Sequence, residues 1–272
     1  MSTVHRSLDA LEHAIRASWC VWTSDPVDQA RWSESNPAWG QCASTALVVQ
    51  DLVGGDLLIA EVHLADGTSA GVHYWNRLAG SHELDLTREQ FHDGETIGES
   101  REVGRPADVT RGRLAGQYHL LSSRVTRRLA GNGDAGSRPV TVKAVCIHHD
   151  GRVLLCRNNR GQWELPGGRP EVGELFQETA VRELREETGL KVTVDRLLGV
   201  RGFEVVPGDW VDVVAYACPA RYNDEVTASD EHTVVAFVDL SAIEDGELPG
   251  VYRELIARRE MLCARSAKAD TA

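Results

Sequence analysis

The stretch GRPEVGELFQETAVRELREETGL, Gly168 to Leu190, decides how the second half of the chain is read, and its last nine residues decide it most sharply. Within RELREETGL, the acids Glu183, Glu186 and Glu187 fall inside five consecutive positions. Like charges three or four residues apart are neighbours on a helix and repel each other. A chain that spreads charge for solubility gains nothing by stacking them. At about 100° per residue, Glu186 and Glu187 lie about 60° and 40° either side of Glu183, within one arc of the helix. Three carboxylates there make a hard, all-oxygen cluster of the kind magnesium accepts, with its remaining positions left to water and phosphate oxygens. A cation among them removes the repulsion. The helical pattern runs from about Leu175 to Thr188, and Gly189 closes it as a left-handed cap requires.

The flanking segments alternate in type. TVKAVCI and RVLLCRN are strand-like runs either side of HHDG, whose Asp-Gly marks a hairpin turn. Strand-like runs recur near KVTVDRLLGV, WVDVVAYACPA and TVVAFVDL, and VYRELIARREML is helical in pattern. This predicts an α/β half with a mixed sheet and helices packed on its faces.

The spacing then carries a resemblance. From Gly168 the chain reads Gly, five residues, Glu174, seven residues, Arg182-Glu183-Leu184, one residue, Glu186-Glu187, one residue, Gly189-Leu190. This matches the Nudix box at every fixed position, and the preceding WELPGG, from Trp163, is similar to that family's approach to the box. The resemblance covers about Pro139 to Arg265. It implies an α/β/α sandwich that cleaves a nucleoside diphosphate linked to another moiety. It further implies that Glu183, Glu186 and Glu187 bind Mg²⁺ (or Mn²⁺), with the backbone carbonyl of Gly168 as a further ligand. Glu174 and Arg182 would orient loop and helix through a charge-assisted contact. The general base is left between Glu187 and an acid outside the box, for which Glu231 in SDEH is the candidate. Arg157, Arg160 and Arg201 are candidate phosphate contacts, because the guanidinium fork suits phosphate. Trp163 and Trp210 read as packing residues before base-stacking ones.

At 272 residues the chain has room for two domains, each with its own core. LAGNGDAGSR, followed by Pro139, is the best linker candidate. The organisation expected is residues 1–128, a linker at 129–138, residues 139–265, and a tail at 266–272. A net charge of -12 argues against nonspecific binding of a nucleic-acid polymer. It leaves room for a small phosphorylated nucleotide, since a bound metal reverses the local field. No run approaches the roughly 18 apolar residues of a membrane helix. The N-terminus MSTVHRSLDALEHAIRAS reads as a structural helix and not a signal peptide. The expectation is a cytoplasmic protein with no membrane partner and with a homodimer left open. The six cysteines are scattered without a CxxC pair, which suits neither a zinc site nor a disulfide framework. Cys146 and Cys156, inside apolar runs, read as small buried hydrophobes.

The first half holds NPAWGQCASTALVVQDLVGG, then HYWNRL, then HELDLTREQF. Cys42 opens a helical pattern, where aligned N–H groups lower a thiol's pKa. His73 and Asp85 follow on β-like segments, which predicts an α+β domain. Over about Trp19 to Phe91 the sequence resembles the YunG-like family, and more distantly transglutaminase-like and papain-like thiol enzymes. The distant likeness implies Cys42 as nucleophile, His73 as base, Asp85 as orienter of the imidazole, and Gln41 as oxyanion donor. A buried Cys42, a hydrogen-bonded His73 and a turn-capping Asp85 are the favoured reading of the residues themselves, and His82 is a second candidate partner. Three functions are therefore in play: a Mg²⁺-dependent pyrophosphohydrolase, a bifunctional protein with a thiol hydrolase or transferase half, and a nucleotide sensor without hydrolysis. An intact set of carboxylates disfavours the sensor.

Overall fold

The computed structural model describes residues 8–131, 138–219, 225–229 and 232–269, with side chains of the last helix described as far as residue 262. The chain divides into two compact units, Met1–Arg138 and Pro139–Ala272. Residues 132–137 of the expected linker lie outside the described residues, as do 220–224 of the second unit.

The first unit is α+β. Helices α1 (Leu8–Arg16), α2 (Cys42–Val53) and α3 (Ala115–Leu129) accompany strands β1 (Asp56–His63), β2 (Ser69–Arg77), β3 (Glu83–Leu84), β4 (Thr96–Ile97) and β5 (Arg101–Val103). The strands form one antiparallel sheet in the order β3-β2-β1-β4, with β5 also pairing β1. The apolar stripes of the three helices meet in a core of Ile15, Trp19, Val48, Val49, Leu121 and Val125. Gly54 ends α2, and its N–H caps the carbonyl of Gln50 at a φ of 79°.

The second unit carries β6 (Val140–Ile147), β7 (Val153–Arg157), β8 (Trp163–Glu164), α4 (Phe176–Thr188), β9 (Arg196–Val206), β10 (Asp209–Pro219), β11 (Val234–Val238) and α5 (Gly250–Ala269). Its six-stranded sheet runs β11-β7-β6-β10-β9, with β8 on β7. The central pair β6 and β10 is parallel and the other pairs are antiparallel, so the sheet is mixed. Both faces are covered, which is why these strands read as unbroken apolar runs. Val145, Val213, Ala215 and Ala217 join Tyr252, Leu255 and Ile256 of α5 in one core. Their alternate neighbours Val142, Ala144, Val214 and Tyr216 are equally buried, on the side where α4 packs against β6 and β10. The α/β/α sandwich is the one expected. One strand is shorter than its sequence suggests: KVTV, residues 191–194, stays outside the sheet, and pairing begins at Arg196.

Candidate functional site

The acidic ridge is built from α4 and from the glycine turn ahead of it. Helix α4 ends where Gly189, at a φ of 75°, donates to the carbonyl of Arg185. That fixes the register of the last turn and the directions of Glu183, Glu186 and Glu187. The segment Pro166–Gly168 is strapped along β6: Ala144 N–H donates to Pro166 O at 2.9 Å and Val142 N–H to Gly168 O at 2.8 Å. Between those two bonds Gly167 adopts a φ of +130° and presents both its backbone groups to the site. Its N–H donates to Glu187 Oε2 at 2.7 Å, and its carbonyl accepts from the Lys143 ammonium at 2.6 Å.

The acids differ in environment. Glu186 is exposed at the rim, whereas the Glu187 side chain is only 8% exposed. Burial pushes the Glu187 carboxyl up to about 7, against the pull of Lys143 and the Gly167 N–H. Burial also raises Glu183, opposed by its contact with Arg182. Arg182 binds Glu174 in a bidentate fork, Nε to Oε1 at 2.8 Å and Nη2 to Oε2 at 3.0 Å. Its Nη1 then reaches Glu183 Oε1 at 2.9 Å and Glu186 Oε2 at 3.1 Å. These groups line a cavity of about 1080 Å³, into which Arg169, Asn158 and Asn159 also face.

A buried carboxyl raised to about 7, as Glu187 is, signals a deficit of positive charge. A divalent cation fits this donor set: three carboxylates and one backbone carbonyl, all hard oxygens.

The structure corrects three sequence assignments. The carbonyl of Gly168 is turned away, since it accepts from Val142 N–H and, at 3.2 Å, from the Thr141 hydroxyl. The carbonyl on the carboxylate side belongs to Gly167, one residue earlier. Arg157 does not line the cavity: it donates to Gly161 O at 2.8 Å and pairs with Glu247 at 2.9 Å, its guanidinium over the Trp163 ring. Arg201 lies on β9, where it donates to Val200 O and pairs with Glu254 at 3.6 Å. Glu231 lies outside the described residues.

In the first unit the geometry favours the structural reading over the thiol-enzyme one. His73 and Asp85 do come together, Nε2 to Oδ2 at 2.8 Å, but the other ring nitrogen of His73 is taken by the Gln90 amide at 3.0 Å. Cys42 sits at the start of α2 as expected and is half-buried as a residue, yet the packing around its sulfur pushes the thiol up to about 11, outweighing the N–H groups of Tyr74 and Ala43. A helix start lowers a thiol's pKa only where the thiol keeps contact with water or a cation. Asp85 also accepts from the N–H of Thr87, a turn-capping role. His82 is exposed. The arrangement is that of a hydrogen-bonded core histidine, not of a base facing a thiolate. The Gln41 amide donates to Cys20 O at 3.0 Å and is likewise committed.

Three groups at the cavity were missed in the sequence: Lys143, Glu164 and His232. The signal for Lys143 was present, a lone lysine inside the apolar run VTVKAVCI.

Fold and site together define an α/β/α sandwich with a carboxylate-lined cleft at the end of its central strands. Residues 137–258 are a NUDIX domain, and residues 7–130 belong to the YunG protein family. A MutT-like protein of Streptomyces ambofaciens is 47% identical over 62 residues, 22% of this chain and 40% of that protein. An ADP-ribose pyrophosphatase of Methanocaldococcus jannaschii is 48% identical over 58 residues, 20% of this chain and 34% of that protein. The crystal structure of a MutT protein from Methanosarcina mazei Go1 aligns at a TM-score of 0.39 with 28% identity, over 46% of this chain and 96% of that one. The chain spans 24% to 42% of the length of the first curated relatives it matches. No helix among the described residues is long and apolar enough to cross a membrane.

Proposed function

We propose that the second unit is a Mg²⁺- or Mn²⁺-dependent hydrolase of phosphoanhydrides, acting on a nucleoside diphosphate linked to a further group. The observation that carries this reading is the buried Glu187 and half-buried Glu183 against the glycine turn, open to a cavity large enough for a nucleotide's phosphates. Glu183, Glu186 and Glu187 would hold the ion, with the Gly167 carbonyl on the same side. When bound, such an ion supplies Lewis acidity toward phosphate oxygens and lowers the pKa of a ligated water.

The chain's own groups do the rest. Glu187, the most buried acid of the ridge, is the base on hand for the attacking water's proton. Its Oε2 is anchored by Gly167 N–H, which leaves Oε1 on the side of His232, 3.7 Å from Nε2. Arg182 acts as a positioning residue: its fork on Glu174 holds the loop while Nη1 aligns Glu183 and Glu186. Arg169 at the cavity rim is the phosphate contact in place of Arg157 and Arg201. The relative named as an ADP-ribose pyrophosphatase places ADP-ribose first among substrates to try.

The test is a panel of ADP-ribose, nucleotide sugars, dinucleotides and nucleoside triphosphates, assayed for phosphate or nucleoside monophosphate release with Mg²⁺ and with EDTA. At least one member should be cleaved only with the metal. Cleavage that is indifferent to EDTA, or absent across the panel, would reject the proposal.

A further inference from the structure

A second donor set, softer than the carboxylate ridge, reaches from the cavity lining, Glu187 and His232, to the fully buried Cys156 behind it. Cys156 Sγ and one donor atom each of Glu187 and His232 lie within 4.8 Å of one another. Three separate segments bring the donors here, with Glu164 beside them. Cys156 on β7 and Glu164 on β8 are directly opposed in the antiparallel ladder, so their side chains share a face. The end of α4 supplies Glu187. The segment before β11 supplies His232, tied to α4 through Ser229, whose N–H donates to Glu187 O and whose carbonyl accepts from His232 N–H, each at 3.3 Å.

His232 is the informative member. Its side chain is only 7% exposed, yet its Nδ1 is buried with no hydrogen-bond partner. Its Nε2 has two carboxylate oxygens just beyond hydrogen-bond distance, Glu164 Oε1 at 3.6 Å and Glu187 Oε1 at 3.7 Å. A buried imidazole without hydrogen bonds is costly. The 3.7 Å between His232 and Glu187 matches the ligand–ligand distance of a tetrahedral ion with bonds of about 2.0–2.3 Å, which is about 3.3–3.8 Å.

We infer that Cys156, Glu187 and His232 form a site for a borderline transition-metal ion of the Zn²⁺ class, distinct in donor chemistry from the all-oxygen ridge, with a fourth position left to water. One thiolate, one imidazole and one carboxylate select such an ion over magnesium. Charge supports the assignment. The ion displaces the thiol proton and any proton on Glu187 to solvent, so the donors then carry two negative charges. Lys143, 3.5 Å from Glu164, balances that carboxylate, and a divalent ion brings the pocket to neutrality. Cysteine spacing in the sequence conceals the site, because only one cysteine takes part. Glu187 belongs to both sets, so the two ions compete for it. On the hydrolase reading, Zn²⁺ would then inhibit the Mg²⁺-dependent reaction, and a chelator selective for zinc would restore it.

The direct test does not depend on activity. Co²⁺, as the probe, is titrated into the full chain and followed by absorption spectroscopy. One equivalent should produce a thiolate-to-cobalt charge-transfer band in the near ultraviolet with the intense visible bands of four-coordinate cobalt. Cys156→Ser should remove the charge-transfer band. His232→Gln, which leaves the core thiol untouched, should weaken cobalt binding by more than about tenfold, the low end of what even outer-shell changes cost. Glu183→Gln should leave the band in place. Weak visible bands of purely oxygen-ligated cobalt, a charge-transfer band that survives Cys156→Ser, or unchanged affinity in His232→Gln would each overturn the assignment. A negative result would leave the Mg²⁺ and EDTA panel unaffected, so the two readings fail separately.

Discussion

Glu187→Gln is expected to lower turnover by about 10²–10⁴-fold, the range associated with loss of a positioned acid or base, while making the metal-free protein more stable. The second half of this expectation follows from the carboxyl's pKa. Burial raises Glu187 from 4.5 to about 7, so between those values the folded chain holds a proton that the unfolded chain has released. Stability from this group is therefore full below pH 4.5 and is lost as pH rises through 7. Above that, the difference of about 2.5 pH units sets an upper bound of about 3 kcal/mol on the penalty. Glutamine carries no charge and keeps an oxygen for the Gly167 N–H. Urea unfolding at pH 8 in EDTA should show a gain of about 1–3 kcal/mol for the variant. A variant with near-normal turnover would remove Glu187 from the chemistry, and one less stable than the parent would show that its charge is already compensated.

Gly167→Ala is expected to be the most destabilising single change in the site. A Cβ there would lie 2.1 Å from Val142 O and 3.0 Å from the Lys143 Cα, both main-chain atoms of the central strand β6, and φ is +130°. Neither atom can give without breaking the Pro166–Gly168 strap. Strain at such a φ alone costs about 1–3 kcal/mol, and the clash adds to it. The neighbouring Gly168→Ala is the control. Its Cβ would meet only the Glu183 carboxylate, at 2.4 Å, and a side-chain end can move. The first variant should unfold at clearly lower urea or fail to accumulate. The second should keep its circular dichroism and unfolding midpoint but lose metal affinity, because Glu183 is displaced. Equal stability of the two variants would show that the strap is not rigid.

What could be read in the sequence was local. The ridge on α4, its closing Gly189, the Asp150-Gly151 turn between β6 and β7, and the Arg182–Glu174 contact all depend on residues close together in the chain, where periodicity and spacing carry the information. What could not be read depended on distant segments meeting. The carbonyl assignment missed by one residue because the choice between Gly167 and Gly168 is made by bonds from β6, over twenty residues earlier. Arg157 and Arg201 are paired by Glu247 and Glu254, acids more than fifty residues further on. Lys143 and His232 enter the cavity through strand order, which no spacing rule reports. For Cys42, the helix start and the buried reading were both legible, whereas which of them sets the thiol's pKa was not.

The central claim is that a divalent ion occupies the acidic ridge in place of a proton on Glu187. Calorimetric titration of Mg²⁺ at pH 6 and at pH 8, each in two buffers of different ionisation enthalpy, tests it most directly. With the Glu187 group near 7, binding at pH 6 should release close to one proton and be about tenfold weaker than at pH 8, where release should be nearly complete beforehand. Glu187→Gln should abolish the proton release. Affinity that is the same at both pH values, or heats that do not depend on the buffer at pH 6, would contradict the account.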